Sequence, residues 1–374
     1  MRGGLRPLWA RLSEEKGGPL AEAALLPLLP VSWAYGLGVR ARLSLYGLGA
    51  FKRASLTSPV ISVGNLTLGG SGKTPASEAI ARLLLQEGFR VAVLSRGYGG
   101  RARGSLTVVS DGKRLLASPP VAADEAILLA RNLPGLLVLT GRSRLEAGTH
   151  AIESLGAEVI ILDDGFQHLA LERDLDLLLV RAKNPWGRGR LFPRGSLREP
   201  LSALSRAGAV VMVSPFRAEA RPPEELLSAL ERYNPAAPLF RACLEFAHLR
   251  LLGKEGELPL DALGNTPFLA LCGIASPESF FSFLRELGLS PRGELALSDH
   301  YRYCREDLPS LREAARAAGA SAIVTTQKDA VKLEPLAPLP LPIWEVGVRL
   351  RVLEEGSWRE LILSVARSPR RTIS

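Results

Sequence analysis

Polar and apolar positions alternate with two different periods along this chain. Residues 59–63, 91–95, 136–140, 157–162, 176–180 and 209–213 are short, continuous apolar runs, the pattern of strands buried on both faces of a parallel sheet. After the first run, Ala76, Ile80, Leu83 and Leu84 recur at helical spacing. Strand, loop and helix repeating to residue 213 predict an α/β fold built on a doubly wound, mostly parallel sheet. Composition breaks at Arg221-Pro-Pro and at Asn234-Pro-Ala-Ala-Pro238. Beyond the break, residues 239–253 alternate like a strand, and 343–353 would pair with them as a two-stranded hinge. A second, smaller α/β domain lies between, with strands at 267–272 and 322–326 and helices at 277–287 and 306–318. The final helix, 355–366, is expected to return to the first unit. The expected division is an N-terminal segment 1–55, a first domain 56–238 completed by 354–374, and the hinge with the smaller domain, 239–353.

The first apolar run opens into Thr67-Leu-Gly-Gly-Ser-Gly-Lys-Thr74. Glycines at 69, 70 and 72 let backbone N–H groups converge on phosphate oxygens, Lys73 can reach the outer phosphates, and the Thr74 hydroxyl can hold Mg²⁺. Such a Walker A loop ordinarily has Gly where Thr67 stands. The strand before it and the helix after it favour phosphate binding over a glycine-rich turn that binds nothing. The run at 157–162 delivers Asp163 and Asp164 at its end, the Walker B arrangement in which a carboxylate meets Mg²⁺; helix or turn capping is the alternative. Together the two loops predict a P-loop NTPase-like fold that binds nucleotide with magnesium. Three further features remain open on the residues alone. Arg96, in the loop after the second run, is either a charge clamp or a solvated arginine. Asp124 and Glu125 stand where a helix begins and suit its dipole as caps. The arginine-rich segment 181–197 is long enough to be a functional loop.

A chain of 374 residues, 47% hydrophobic, can bury a large core and fits two domains better than one. A net charge of +9 favours anionic partners. Its basic residues are scattered without interleaved aromatics, which argues against nucleic acid and for phosphorylated substrates or acidic headgroups. Cys243, Cys272 and Cys304 are odd in number and far apart, giving neither a disulfide framework nor a metal pair. Residues 23–39 carry no charge, but the run is shorter than the ~20 residues a membrane span needs and is broken by Pro27, Pro30, Gly36 and Gly38. With Trp33, Tyr35 and Tyr46 as interfacial anchors and Arg40, Arg42, Lys52 and Arg53 beside them, it reads as a membrane-surface segment. A core helix and a cleaved signal peptide are the alternatives.

Taken in order, Ser62-Val-Gly-Asn-Leu-Thr-Leu-Gly-Gly-Ser-Gly-Lys-Thr-Pro75, Ser95-Arg-Gly-Tyr-Gly99, Asp124-Glu125, Asp163-Asp-Gly-Phe-Gln-His168, Leu197-Arg-Glu-Pro200, Asp299-His-Tyr301 and Thr325-Thr-Gln-Lys-Asp329 resemble the tetraacyldisaccharide 4′-kinases of lipid A biosynthesis across nearly the whole chain. The resemblance implies a monotopic enzyme on the cytoplasmic face of the inner membrane. It would transfer the γ-phosphate of ATP to the 4′-hydroxyl of an acylated glucosamine disaccharide 1-phosphate. It further implies Asp124 as the carboxylate that takes the hydroxyl proton, with His300 as its partner from the smaller domain. Lys73 and Arg198 would supply transition-state charge. Thr67, Leu68, Gly69, Gly70, Ser71, Gly72, Lys73 and Thr74 would cradle ATP, and Thr74, Asp163, Asp164 and Glu199 would surround Mg²⁺. His168 would hold the Asp163–Asp164 loop. Two other readings compete. One is a P-loop GTPase or metallochaperone, for which Thr326-Gln-Lys-Asp329 is a distant echo of a guanine-reading turn; the other is a membrane-bound nucleotide sensor without transfer chemistry.

Overall fold

The computed structural model describes residues 19–97, 105–119, 121–216 and 221–368. Twelve strands form one sheet in the order β10-β9-β11-β12-β8-β7-β6-β1-β5-β2-β4-β3. At its centre β1 (Val60–Gly64) lies parallel between β5 (Val159–Asp163) and β6 (Leu175–Arg181), and β2 (Val91–Ser95) and β4 (Leu137–Gly141) extend the sheet on the β5 side. These strands read as unbroken apolar runs because both faces are covered. Ile61, Val63, Val91, Val93, Val159 and Ile161 point to one face, where they meet α3 (Lys73–Gln86), α4 (Asp124–Asn132) and α10 (Glu355–Ala366). Val60, Ala92, Leu94, Ile160 and Leu162 point to the other, against α5 (Arg144–Glu153). The antiparallel edge strand β3 (Leu106–Asp111) and the helix α5 were not expected from the sequence pattern; β3 is only half covered and its apolar run is short.

β7 (Ala209–Ser214) passes the sheet to β8 (Leu239–Leu251), reached through α6 (Glu224–Tyr233), and β8 runs antiparallel to β12 (Ile343–Val352). From β12 the sheet continues through β11 (Ala322–Thr326), β9 (Phe268–Cys272) and β10 (Gly293–Ala296), all parallel to one another. Phe280, Phe281, Phe283 and Leu284 of α7 (Pro277–Glu286) cover one face of this part. Leu311 and Ala315 of α8 (Leu308–Ala317) and Ala330 and Leu333 of α9 (Gln327–Leu333) cover the other. The expected division therefore falls inside a continuous sheet, at the β8–β12 ribbon.

The N-terminal segment corrects an expectation. α1 (Pro19–Leu25), a short 3₁₀ turn and α2 (Leu29–Gly47) make Glu22–Gly47 a 26-residue helical run, long and apolar enough by length and composition to cross a membrane and mostly exposed. Pro27 and Pro30 do not break it, because each occupies the first turn of a new helical piece, where the missing N–H has no partner to lose. The helix also continues through Arg40 and Arg42, beyond the uncharged stretch.

Candidate active site

The carboxyl ends of β1, β2 and β5 face one crevice, and the loops leaving them carry most of the expected site residues. After β1, Gly69 (φ 100°) and Gly72 (φ 80°) take left-handed conformations open to glycine, and Gly72 caps α3. Lys73 Nζ donates to Asn65 Oδ1 at 3.2 Å and lies 3.6 Å from Asp164 Oδ1; burial lowers its pKa. One turn along α3, Ser77 Oγ donates to Asp163 Oδ1 at 2.9 Å, a contact that sequence reasoning missed although Ser77 stands at i+4 from Lys73. Thr74 is buried beside them.

Asp163 is buried in company with Glu125 and Asp164, and burial, then Glu125, pushes its carboxyl up to about 6. A site that disfavours its own carboxylate is one that a cation completes. Ser71 Oγ and Asn65 Nδ2 are buried around the loop without a hydrogen-bond partner. Orphaned polar groups, left-handed glycines and an under-compensated carboxylate fit a magnesium nucleotide.

Asp164, in a left-handed turn (φ 54°), is gripped by Arg198 Nη1 at 2.9 and 3.0 Å, and the same nitrogen reaches Gln167 Oε1 at 3.3 Å. The Arg198 N–H donates to the Leu66 carbonyl and the Leu68 N–H to the Ser196 carbonyl, each at 2.7 Å, so residues 196–198 are laced to the start of the phosphate loop. Leu68 thus spends its N–H on the chain, and Thr67 pairs with Leu197; their contribution to a phosphate cradle is to shape it. Glu199 is buried and paired with Arg206, whose guanidinium covers the Phe166 ring at 4.5 Å. Glu199 Oε1 is buried without a hydrogen-bond partner.

Asp124 begins α4, and His300 arrives from the loop after β10 in a left-handed conformation (φ 54°). His300 Nδ1 lies 4.0 Å from Asp124 Oδ2, and Asp124 raises the imidazole pKa. Beside them Lys328 Nζ donates to Glu125 Oε1 at 2.5 Å, which keeps that carboxyl low. Sequence reasoning had Glu125 only as a cap; the signal was the Thr325–Asp329 motif, which runs from the end of β11 into the first turn of α9. His168 is pushed down to about 4 by burial and by Arg144, Arg173, Arg42 and Arg96, so it is a neutral imidazole among arginines. The backbone N–H of His168 donates to the Gly165 carbonyl and its backbone carbonyl accepts from Arg173, which stiffens the turn after Asp164. Tyr98 and Gly99 lie outside the described residues.

α2 lies across the segment 188–198. Ser32 Oγ donates to the Leu191 carbonyl (2.9 Å), Tyr35 Oη to the Arg198 carbonyl (2.8 Å) and Arg42 to the Gln167 carbonyl (2.8 Å). Glu22 holds Arg188 and Arg194 at 2.7 and 2.9 Å. Tyr35 therefore ties α2 to the site, while Val31, Trp33, Leu37 and Leu48 stay exposed.

Fold and site together define a P-loop phosphotransferase: a doubly wound sheet, a phosphate loop, a Walker B aspartate, and a carboxylate–imidazole pair beside them. A family profile described as tetraacyldisaccharide-1-P 4′-kinase matches residues 24–367. The tetraacyldisaccharide 4′-kinase of Syntrophus aciditrophicus is 39% identical over 362 residues, covering 95% of this chain and 97% of the relative. That of Geobacter metallireducens is 45% identical over 313 residues, 84% of this chain and 89% of its own. The crystal structure of LpxK from Aquifex aeolicus in complex with ATP superposes with a TM-score of 0.73 at 33% identity, covering 91% of this chain and 99% of that one. The chain belongs to the tetraacyldisaccharide 4′-kinase family.

Proposed function

We propose that this protein transfers the γ-phosphate of ATP to the 4′-hydroxyl of a tetraacyldisaccharide 1-phosphate at the cytoplasmic face of the inner membrane, a step of lipid A biosynthesis. The observation that carries this reading is the meeting of Asp124 and His300 beside the Lys73–Asp164–Arg198 cluster. A nucleotide sensor has no use for a hydroxyl-activating pair in that place.

In this mechanism the glycine loop and Lys73 bind the phosphates, and Lys73, held between Asn65 and Asp164, is directed rather than free. Thr74 and Asp163 would hold Mg²⁺, which supplies charge neutralisation at the transferred phosphate. Asp164, engaged by Lys73 and Arg198, orients both cations and would reach the metal's outer shell. Glu199, tied to Arg206 through Oε2, has its buried Oε1 left to join the metal's outer shell. Asp124 accepts the proton of the acceptor hydroxyl, and His300, with its pKa raised, stabilises and aligns the Asp124 carboxylate. Phosphoryl transfer is dominated by positioning and charge neutralisation, so a carboxylate of ordinary basicity suffices. Arg198 turns toward phosphate charge when Asp164 releases it. The two sides of the β8–β12 ribbon act as bodies that close to bring His300 to Asp124. The exposed apolar face of α2 meets the membrane surface, and its ties to residues 191 and 198 couple attachment to the site.

Incubation with ATP, Mg²⁺ and a disaccharide 1-phosphate lipid in detergent micelles should give a product heavier by one phosphate. ATP hydrolysis without lipid phosphorylation, or displacement of ATP by GTP at equal concentration, would overturn the assignment.

A further inference from the structure

The motif Thr325-Thr-Gln-Lys-Asp329 has no part in the phosphate loop, the metal group or the proton transfer, yet it contains the fully buried carboxylate of Asp329. Burying a carboxylate is costly unless it is held by partners. In Asp329 the hydrogen bonds converge on Oδ2, while Oδ1 is buried with an ion pair but no aligned hydrogen bond. Its Oδ2 accepts from the Gly273 N–H (2.8 Å) and the Thr326 hydroxyl (2.8 Å), and Lys332 Nζ lies 2.7 Å from its Oδ1. The Gly273 carbonyl in turn accepts from the His300 N–H at 3.2 Å. Gly273 is pressed between the two: a Cβ there would lie 3.1 Å from Asp329 Oδ1 and 3.2 Å from both the Ser298 carbonyl and Tyr301 Cβ. A left-handed backbone at a non-glycine residue persists only where its neighbours over-determine it, and this strap supplies that constraint for His300.

The residue before Asp329 holds the opposite half of the pair. Lys328 donates to Glu125, the immediate neighbour of Asp124 in the first turn of α4. At the start of α9 Gln327 Nε2 reaches Asn132 Oδ1 at 3.4 Å, and in the 3₁₀ turn that extends the helix Glu334 meets Arg131 at 2.9 Å. The base of the motif is pinned too, since Thr325 Oγ1 donates to the Leu271 carbonyl of β9 at 2.8 Å. Two consecutive residues of one helical turn therefore grip the elements bearing Asp124 and His300, which are otherwise far apart in the chain.

We propose that Lys328 and Asp329 are the positioning residues that set Asp124 against His300. The assignment rests on the reading that this pair activates the acceptor hydroxyl. Neither residue takes the proton; each fixes a backbone from which a reacting or tuning side chain projects. A misplacement of about 1 Å at such a pair costs on the order of 100-fold in rate.

The test measures kcat and the KM of ATP and of lipid for Lys328→Met, Lys328→Arg and Asp329→Asn, each alone and in a His300→Ala background, with thermal melting of every variant. Lys328→Met and Asp329→Asn should lower kcat by roughly 10- to 100-fold with the KM of ATP nearly unchanged. Lys328→Arg should restore most of the rate, because the ion pair to Glu125 is retained. In the His300→Ala background the added losses should largely vanish, since residues acting as one unit are non-additive. Losses of equal size with and without His300, an unchanged kcat, or a raised KM for ATP at constant kcat would each overturn the proposal. Should Asp329→Asn fail to fold, Lys328→Met at its half-exposed position decides by the same cycle. Full activity of His300→Ala alone would instead overturn the underlying pair, a result distinct from the others.

Discussion

Gly64 closes β1 where the phosphate loop begins, and its substitution by alanine separates two opposing effects. On backbone entropy alone, Gly→Ala in a strand stabilises by about 0.4–1 kcal/mol. Packing argues the other way. A Cβ at Gly64 would lie 2.5 Å from Phe166 Cβ and 2.8 Å from the Phe166 amide nitrogen, whereas carbon atoms rest about 3.5–4.0 Å apart. Roughly 1 Å must therefore be found. β1 cannot give it, because Val63 is in register with Asp163 on one side and Gly64 with Leu178 on the other. The Phe166 ring cannot turn away either, being fully buried under the Arg206 guanidinium. What remains is a shift of the Asp164–Phe166 turn as a unit, which carries Asp164 away from Lys73 and Arg198. Overpacking of this kind costs about 1–3 kcal/mol, enough to exceed the entropic gain. Displacing a charge cluster by about 1 Å costs on the order of 100-fold in rate. Gly64→Ala should accordingly lower the urea midpoint and cut kcat about 100-fold. A variant with raised stability and normal turnover would refute the claim that this contact sets the distance between the two loops.

Lys73→Ala and Asp163→Ala should each lower turnover about a thousandfold or more in folded protein, measured by phosphate transfer to lipid, because one removes phosphate charge compensation and the other the metal carboxylate. The raised pKa of Asp163 gives a signed pH dependence: below about 6 a proton occupies the carboxylate, so the Mg²⁺ concentration for half-maximal activity should climb as pH falls through that value and stay flat above it; a flat profile on both sides would contradict the buried-carboxylate account. Deleting residues 1–40 should release the protein from vesicles at modest salt, raise the lipid KM and also lower kcat, since α2 ties to the Leu191 and Arg198 carbonyls; retention on vesicles at full activity would move the anchor elsewhere. Tyr35→Phe removes one of those ties and should cost about 1 kcal/mol in urea unfolding.

Some of this site was legible because the signal is local. Continuous apolar runs at 59–63 and 157–162 mark strands covered on both faces, and the loop leaving the carboxyl end of such a strand in a parallel sheet faces the crevice, so Lys73, Thr74 and Asp163 were readable where they stand. Asp124 and His300 were named only through resemblance to a family, since a cap position and a loop histidine carry no sign of each other. Serine at 77 looked like any helical residue until Asp163 lay above it. Glu199 comes next to Arg198 in sequence but faces Arg206, because the 3₁₀ turn after Pro200 brings that guanidinium back over it. The prolines near the N-terminus looked like helix breakers because position within a helix, not residue type, decides their cost.

Local pattern alone set the central strands, the glycines of the phosphate loop and the carboxylate at the end of β5, because each depends on side-chain period and backbone sterics within a few residues. The pairs that make those parts a site come from packing across the whole fold. Lys328 and Glu125 are separated by 203 positions, Tyr35 and the Arg198 carbonyl by 163, and Ser77 and Asp163 by 86. Such contacts arise from how a twelve-stranded sheet orders its strands and from which buried polar groups must find partners once water is excluded, a constraint that applies to the whole chain at once and is written in no single stretch of it.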